Sequence, residues 1–341
     1  MKQPVLSGTR QNSRVLSGMR PTGALHLGHY HGALKNWVRL QDEHECFYFV
    51  ADWHALTTHY ADHADLERNV YDMVVDWLAA GIAPDKATLF IQSRLPEHAE
   101  LFTLLAMGTP LSWLERVPSY KDQITALTGR DLATYGFLGY PLLQAADILI
   151  YKAAFVPVGE DQAPHVEITR EVARRFNHLY GKGQTVLPEP AVLLTETRKL
   201  PGLDGAKMSK SYANDIGMRE EPAEVERKIR RMQTDPDRVR RTDKGDPERC
   251  PVWQFHKLYS DADTREWVVK GCTTAGIGCL ECKQPVIDAI RREQEPWRER
   301  AETYLSNPKH VHWIVEVGTE RARTVARQTM REVRSAMGLS Y

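Results

Sequence analysis

Along roughly the first 200 residues, apolar positions alternate between two rhythms. Short apolar runs occur at Arg14 to Gly18 (Val15, Leu16), at Cys46 to Ala51 (Phe47, Tyr48, Phe49, Val50) and at Thr88 to Ile91. Between them, apolar residues recur at helical steps: Leu27, Tyr30, Leu34, Trp37 and Val38, then Leu66, Val70, Val74, Trp77 and Leu78. Strand and helix periods in alternation predict a βαβαβ unit, a parallel sheet covered by helices. From Glu97 to Tyr135 the pattern is mainly helical and reads as an insertion. A second half follows, with a helix around Leu142 to Tyr151, a strand at Phe155 to Val158, a helix from His165 to Phe176 and a strand at Ala191 to Leu194.

Past residue 213 strand signals stop and charge density rises, so a helical domain is expected. The last helix carries Ala322, Val325, Ala326, Met330, Val333 and Met337 on one face. The predicted division is an α/β catalytic domain at 1–212 with a helical insertion at 97–135, a helical domain at 213–310, and a terminal helix at 311–341 packed back on the first domain. No internal repeat is detectable.

Composition narrows the picture only slightly. The 341 residues are 42% hydrophobic and 26% charged, an ordinary globular balance. Lys+Arg and Asp+Glu are equal at 45 each, so no global field favours nucleic acid, although a local basic patch would suffice. Met1 to Arg14 has no apolar signal core, and no apolar run is long enough to span a bilayer. A soluble, cytoplasmic protein with no membrane partner is expected.

Candidate chemistry lies in three places. Ser17-Gly18-Met19-Arg20-Pro21-Thr22-Gly23 follows the first strand, and a helix opens near Leu27. In parallel sheets, phosphate sits where strands end and helix N-termini point. His26 and His29 share one face of the first helical turn and can follow charge onto a phosphorus and its leaving group. About 180 residues later, Gly202 and Gly205 flank Lys207-Met208-Ser209-Lys210-Ser211. Taken alone, the histidines read as surface or cap residues and the lysines as a solvated loop. Second, Asp147 lies inside the apolar run Ala145 to Ile150, where a carboxylate must be paired. Third, Cys250, Cys272, Cys279 and Cys282 are spaced C-x21-C-x6-C-x2-C. Four thiolates suit zinc or an iron–sulfur cluster, and the spacing alone permits either. Cys46, in an apolar strand, reads as core.

Several stretches in register carry a resemblance: Ser17 to Ala33, Ala51 to Thr57, Gly139 to Tyr151, Val156 to Arg170 and Lys207 to Ser211. The chain resembles the class I aminoacyl-tRNA synthetases, with their HIGH-like and KMSKS motifs. Within them it is most similar to the bacterial tryptophanyl enzymes, of which Gly159-Glu160-Asp161-Gln162 is characteristic. The resemblance implies a Rossmann-like core, ATP-dependent formation of tryptophanyl-adenylate, and transfer of the aminoacyl group to tRNA(Trp). It implies that His26, His29, Lys207 and Lys210 are catalytic. Arg20, Pro21, Thr22, Gly28, His29, Gly159, Glu160 and Asp161 would hold ATP, with Lys207, Met208, Ser209, Lys210 and Ser211 closing over its phosphates and Mg2+ riding on them.

For L-tryptophan, the resemblance implies that Asp147 accepts the indole N–H, a donor-only group. Tyr140 and Gln162 would hold the α-amino group, with His54, Gln144, Val156 and Val158 lining the pocket. Gln144 stands where Met is frequent, and Leu16 where Phe is. A subset of the family carries a [4Fe–4S] cluster at nearly the same cysteine spacing; this chain is one residue shorter in the first interval, and the cluster is favoured over zinc. The basic residues Arg227, Lys228, Arg230, Arg231, Arg238, Arg240 and Arg241 suit a tRNA backbone. Family members are homodimers, and Leu111, Trp113, Leu114 and Val117 are candidates for that interface. Alternatives are a tyrosine-specific enzyme, a free-standing nucleotidyltransferase and a synthetase-like iron–sulfur RNA-binding regulator.

Overall fold

The computed structural model describes residues 13–61, 63–117, 133–159, 163–194 and 200–341. Five parallel strands form one sheet in the order β3-β2-β1-β4-β5. They are β1 (Val15–Met19), β2 (Cys46–Val50), β3 (Ala87–Ile91), β4 (Phe155–Val158) and β5 (Ala191–Leu194). Every residue of β2 and β3 is buried, as expected for a parallel sheet covered on both faces. Side chains alternate between two cores. Val15, Tyr48, Val50, Leu89 and Ile91 enter one, and Leu16, Phe47, Phe49, Phe90 and Val156 the other.

The helix after β1 begins at Leu27–His29, passes through a π-helical stretch at Tyr30–Leu34 and continues as α1 (Lys35–Glu43). Next come α2 (Asp52–His59), α3 (Leu66–Ala80), α4 (Glu97–Ala106) and α5 (Leu111–Glu115). Residues 118–132 of the expected insertion lie outside the described residues. The helix α6 (Tyr135–Ile150) starts earlier than the apolar pattern suggests, because Thr134 caps it by accepting the Phe137 N–H. The first core is covered by α1 and α3, the second by α4, α6 and α7 (Ala163–Tyr180).

Beyond residue 213 the described residues form helices α8 (Pro222–Arg231), α9 (Pro251–Tyr259), α10 (Ala262–Thr273), α11 (Cys279–Leu305) and α12 (Pro308–Ala336). Packing of α11 on α3 and of α12 on β3 brings the C-terminal half against the sheet domain. Gly318 permits the second contact, since a Cβ there would sit 1.8 Å from the Leu89 carbonyl oxygen. Leu114 and Val117 are buried at 7% and 1% exposure, so neither can present the subunit interface suggested for them. Their apolar character is spent inside the chain, and only Leu111, at 56%, offers a surface. Trp113 lies beneath the Arg175 guanidinium.

Candidate active site

Strand order reverses between β1 and β4, and a crevice opens outside the carboxyl ends of such a pair. Arg20, Pro21 and Thr22 leave the end of β1, and Gly159 leaves the end of β4. Glu160, Asp161 and Gln162 lie outside the described residues, as does the Ser211 side chain. The two distant motifs meet here. Leu27 N–H donates to the Ile216 carbonyl at 2.9 Å and Met218 N–H to the Leu25 carbonyl at 2.8 Å, with His26 bridged antiparallel to Gly217. Leu25 N–H is held by Asp76, which also takes Arg219. This stitching seats Met208 in the core (4% exposed) against Gly28, and sets the Lys210 ammonium over Gly23. A Cβ on Gly23 would lie 2.9 Å from that nitrogen, and its φ of +123° also demands glycine.

His26 and His29 stack with ring centroids 3.7 Å apart. The His26 N–H donates to His29 Nδ1 at 3.2 Å, so the neutral His29 ring carries its proton on Nε2. Burial lowers the His26 pKa to about 4, with Asp215 opposing and Lys210 and Lys207 adding. Burial, then His26, Lys210 and Lys207, lower that of His29 to about 3. Both are neutral donors at physiological pH. Among the described residues, His26 Nδ1 is buried without a partner.

The second half of the candidate site is a buried polar cluster. Tyr140, Gln144 and Asp147 recur at i, i+4 and i+7 and so share one face of α6. Asp147 is fully buried. Its Oδ2 accepts from His54 Nε2 at 2.7 Å, its Oδ1 from His98 Nδ1 at 2.6 Å, and Gln92 Nε2 reaches both oxygens at 2.9 Å. The Tyr151 hydroxyl donates to His98 Nε2 at 2.7 Å. Burial alone would raise the Asp147 pKa, but hydrogen bonds from His54 and His98 overturn it and hold the carboxyl below its ordinary value. Gln92 and His98 are functional candidates that the sequence reading missed. A buried carboxylate announces that partners exist; it does not say which. Val156 is buried and Val158 half-buried.

The four cysteines gather in the helical half. Cys250 precedes α9, Cys272 lies on α10, and Cys279 and Cys282 open α11. Burial, then Cys250, Cys272 and Cys279, push the Cys282 thiol up to about 12, so all four share one electrostatic neighbourhood. Two buried cations border them. Arg238 Nη1 lies 3.9 Å from Cys272 Sγ, and Lys283 donates to the Arg230 and Met232 carbonyls. His256 Nε2 is 3.4 Å from Cys282 Sγ. Among the described residues, no three His, Cys, Asp or Glu side chains converge tightly enough to hold a single metal ion.

The basic segment is largely engaged within the chain. Arg227, Lys228 and Arg230 pair with Glu224, Glu220 and Glu226, and Arg241 holds the Ala275 and Gly276 carbonyls. Arg231 and Arg240 are exposed. Among the described residues, no helix is long and apolar enough to cross a membrane.

Comparison with known proteins points the same way. The family of class I tRNA synthetases for tryptophan and tyrosine matches residues 9–293. A tryptophan–tRNA ligase from Ralstonia nicotianae is 59% identical, covering 96% of this chain and 99% of its own. One from Thermotoga maritima is 53% identical, covering 96% and 100%. Among solved structures, a tryptophanyl-tRNA synthetase from Campylobacter jejuni complexed with ADP and tryptophan superposes with a TM-score of 0.85 at 33% identity, over 96% of this chain and 100% of that one.

Proposed function

The chain belongs to the class I tRNA synthetases of the tryptophan and tyrosine family and ligates tryptophan to tRNA, and from that premise we propose how its residues divide the work. The tryptophan carboxylate attacks the α-phosphate of ATP, the bond to the β-phosphate oxygen breaks, and pyrophosphate leaves. A hydroxyl of the terminal ribose of tRNA(Trp) then attacks the adenylate carbonyl, the anhydride bond breaks, and AMP leaves. Catalysis of this kind is positioning and charge stabilisation.

Arg20, Pro21, Thr22, Gly28 and Gly159, with Glu160 and Asp161, cradle ATP, whose phosphates bring Mg2+. His26 and His29 donate as neutral imidazoles, while Lys207, Met208, Ser209, Lys210 and Ser211 close over the phosphates. Lys210 carries the charge developing on pyrophosphate. The observation that carries this reading is the Lys210 ammonium poised over Gly23 beside the stacked histidines. Asp147 takes the indole N–H, Tyr140 and Gln162 the α-amino group, and His54, Gln144, Val156 and Val158 line the cavity. The test is ATP–pyrophosphate exchange with tryptophan and tyrosine side by side. Exchange with tryptophan alone is expected; exchange with tyrosine alone would overturn the pocket assignment.

Cys250, Cys272, Cys279 and Cys282 fit a [4Fe–4S] cluster. Cysteine thiolates are the ligands that such a cluster takes, and the Cys282 thiol interacts with the other three. Buried Arg238 and Lys283 supply the positive charge that an anionic thiolate centre requires. When bound, the group would cross-link α9, α10 and α11. Anaerobically purified protein is expected to absorb broadly near about 400 nm and to contain iron, and Cys279→Ser to remove both. Colourless, zinc-containing protein overturns the assignment. A homodimer in the cytoplasm completes the reading, with the exposed Met107, Leu111 and Tyr135 as its candidate contact.

A further inference from the structure

We infer that Asn214 is a positioning residue for adenylate formation, because its single side chain sets the shape of the loop that carries Lys207 and Lys210. This inference rests on the proposed role of that loop over the ATP phosphates.

Asn214 lies beyond the lysine motif and is 3% exposed. Its Oδ1 accepts the Ser209 N–H at 2.8 Å, and its Nδ2 donates to the Lys207 carbonyl at 3.1 Å and to Asp204 Oδ1 at 2.8 Å. Its own carbonyl accepts the Leu203 N–H at 2.8 Å. One amide therefore ties the residues on either side of Met208 to Asp204 ahead of the motif, using its acceptor and both of its donor hydrogens. Asp204 Oδ1 also takes the Ala206 N–H at 3.0 Å, which fixes the tip between them.

The surrounding backbone is arranged to admit this side chain. A Cβ on Gly202 would fall 2.3 Å from the Asn214 amide, so any other residue there would displace it. Ala213 adopts a left-handed φ of +50°, a conformation that non-glycine residues rarely accept, and this turns Asn214 inward. Lys207 and Lys210 are themselves exposed. Lys207 contributes a backbone bridge to Pro201; the Asn214 amide is what joins the two flanks of Met208. Loss of that template leaves Lys210 chemically intact and displaced from Gly23. Misplacement on an ångström scale is enough to cost a rate severely.

Asn214→Ala is expected to slow single-turnover adenylate formation by roughly 100-fold, leaving tryptophan affinity and melting temperature near those of the parent. Asn214→Asp keeps the acceptor for Ser209 and sets a carboxylate against Asp204 and the Lys207 carbonyl, so it should be equally impaired. Adding Asp204→Asn restores a donor–acceptor pair in reversed sense and should recover about tenfold of the rate. A role confined to overall stability would not produce that rescue. Full activity of Asn214→Ala beside a crippled Lys210→Ala overturns the inference alone. Full activity of both variants overturns the reading of the loop itself. Loss of melting temperature and tryptophan affinity together with rate, without rescue, also overturns the inference, because Asn214 would then serve the fold as a whole.

Discussion

The Asp147 cluster, proposed as the floor of the amino-acid pocket, and the His26–Lys210 region, proposed as the phosphate cradle, are built to opposite specifications. On the floor, Asp147, His54, Gln92, His98 and Tyr151 satisfy one another. In the cradle, two histidines sit neutral beside two exposed lysines, and among the described residues His26 Nδ1 is buried without a partner. The floor is a closed hydrogen-bond network around one carboxylate. The cradle gathers donors and positive charge of the kind that suit an anion. A substrate recognised by one hydrogen-bonding group calls for the first design, and charge that develops during the reaction calls for the second.

The largest effect should come from removing the charge that the cradle holds ready. Lys210→Ala is expected to slow adenylate formation by roughly 10²- to 10³-fold, the usual scale for one electrostatic contact to developing charge. Equilibrium tryptophan binding should stay within about twofold, because the floor has no contact that depends on Lys210. Stopped-flow tryptophan binding and pyrophosphate exchange on the same preparation separate the two. Equal losses in both would mean the halves are not independent.

Asp147→Ala should break the comparison from the other side. It removes the acceptor shared by His54, Gln92 and His98 and leaves three buried donors facing each other, at a cost of about 3 kcal/mol in stability. The KM for tryptophan should rise roughly 10- to 100-fold, the worth of a hydrogen bond to a charged group. The KM for ATP should change little. Urea denaturation and steady-state exchange read the two effects separately, and a stable variant with an unaltered KM would place the indole elsewhere.

The cradle was much easier to read from sequence than the floor. Each of its two motifs is a continuous run of residues, and the strand–turn–helix setting of the first follows from local periodicity. The partners of Asp147 come from α2, from the end of β3 and from α4, and only tertiary packing selects them. Gln92 reads as the polar end of a strand and His98 as one polar position in a helix. The π-helical stretch at Tyr30–Leu34 was equally hidden, since its apolar spacing passes for an ordinary helix. Gly318 was a signal left unread: glycine within a helix costs roughly 1 kcal/mol against alanine, and here it marks where α12 meets the backbone of β3. Leu114 and Val117 misled in the opposite sense, because an apolar residue at a helix end looks the same whether its cover is a partner or its own chain.

The remaining test lies in acid, where the two regions should fail in a defined order. His26 and His29 titrate near 4 and 3 when folded and near 6.5 when unfolded. Between those values the unfolded chain binds protons that the folded chain refuses, so stability falls as pH drops below about 6.5. The slope is about 1.4 kcal/mol per pH unit for each histidine. Asp147 acts in the same direction but at lower pH: its depressed pKa contributes stability that is present above the unfolded value of 3.8 and is lost as pH falls through its folded value. The cradle should therefore weaken between pH 6.5 and 4, while the floor holds until the solution is more acidic still. Denaturant midpoints at pH 7, 6 and 5 measure the first slope, and His29→Gln should flatten it by one histidine's share. An unchanged slope would mean that His29 takes up its proton alike in the folded and unfolded chain, so that the cradle does not hold it neutral.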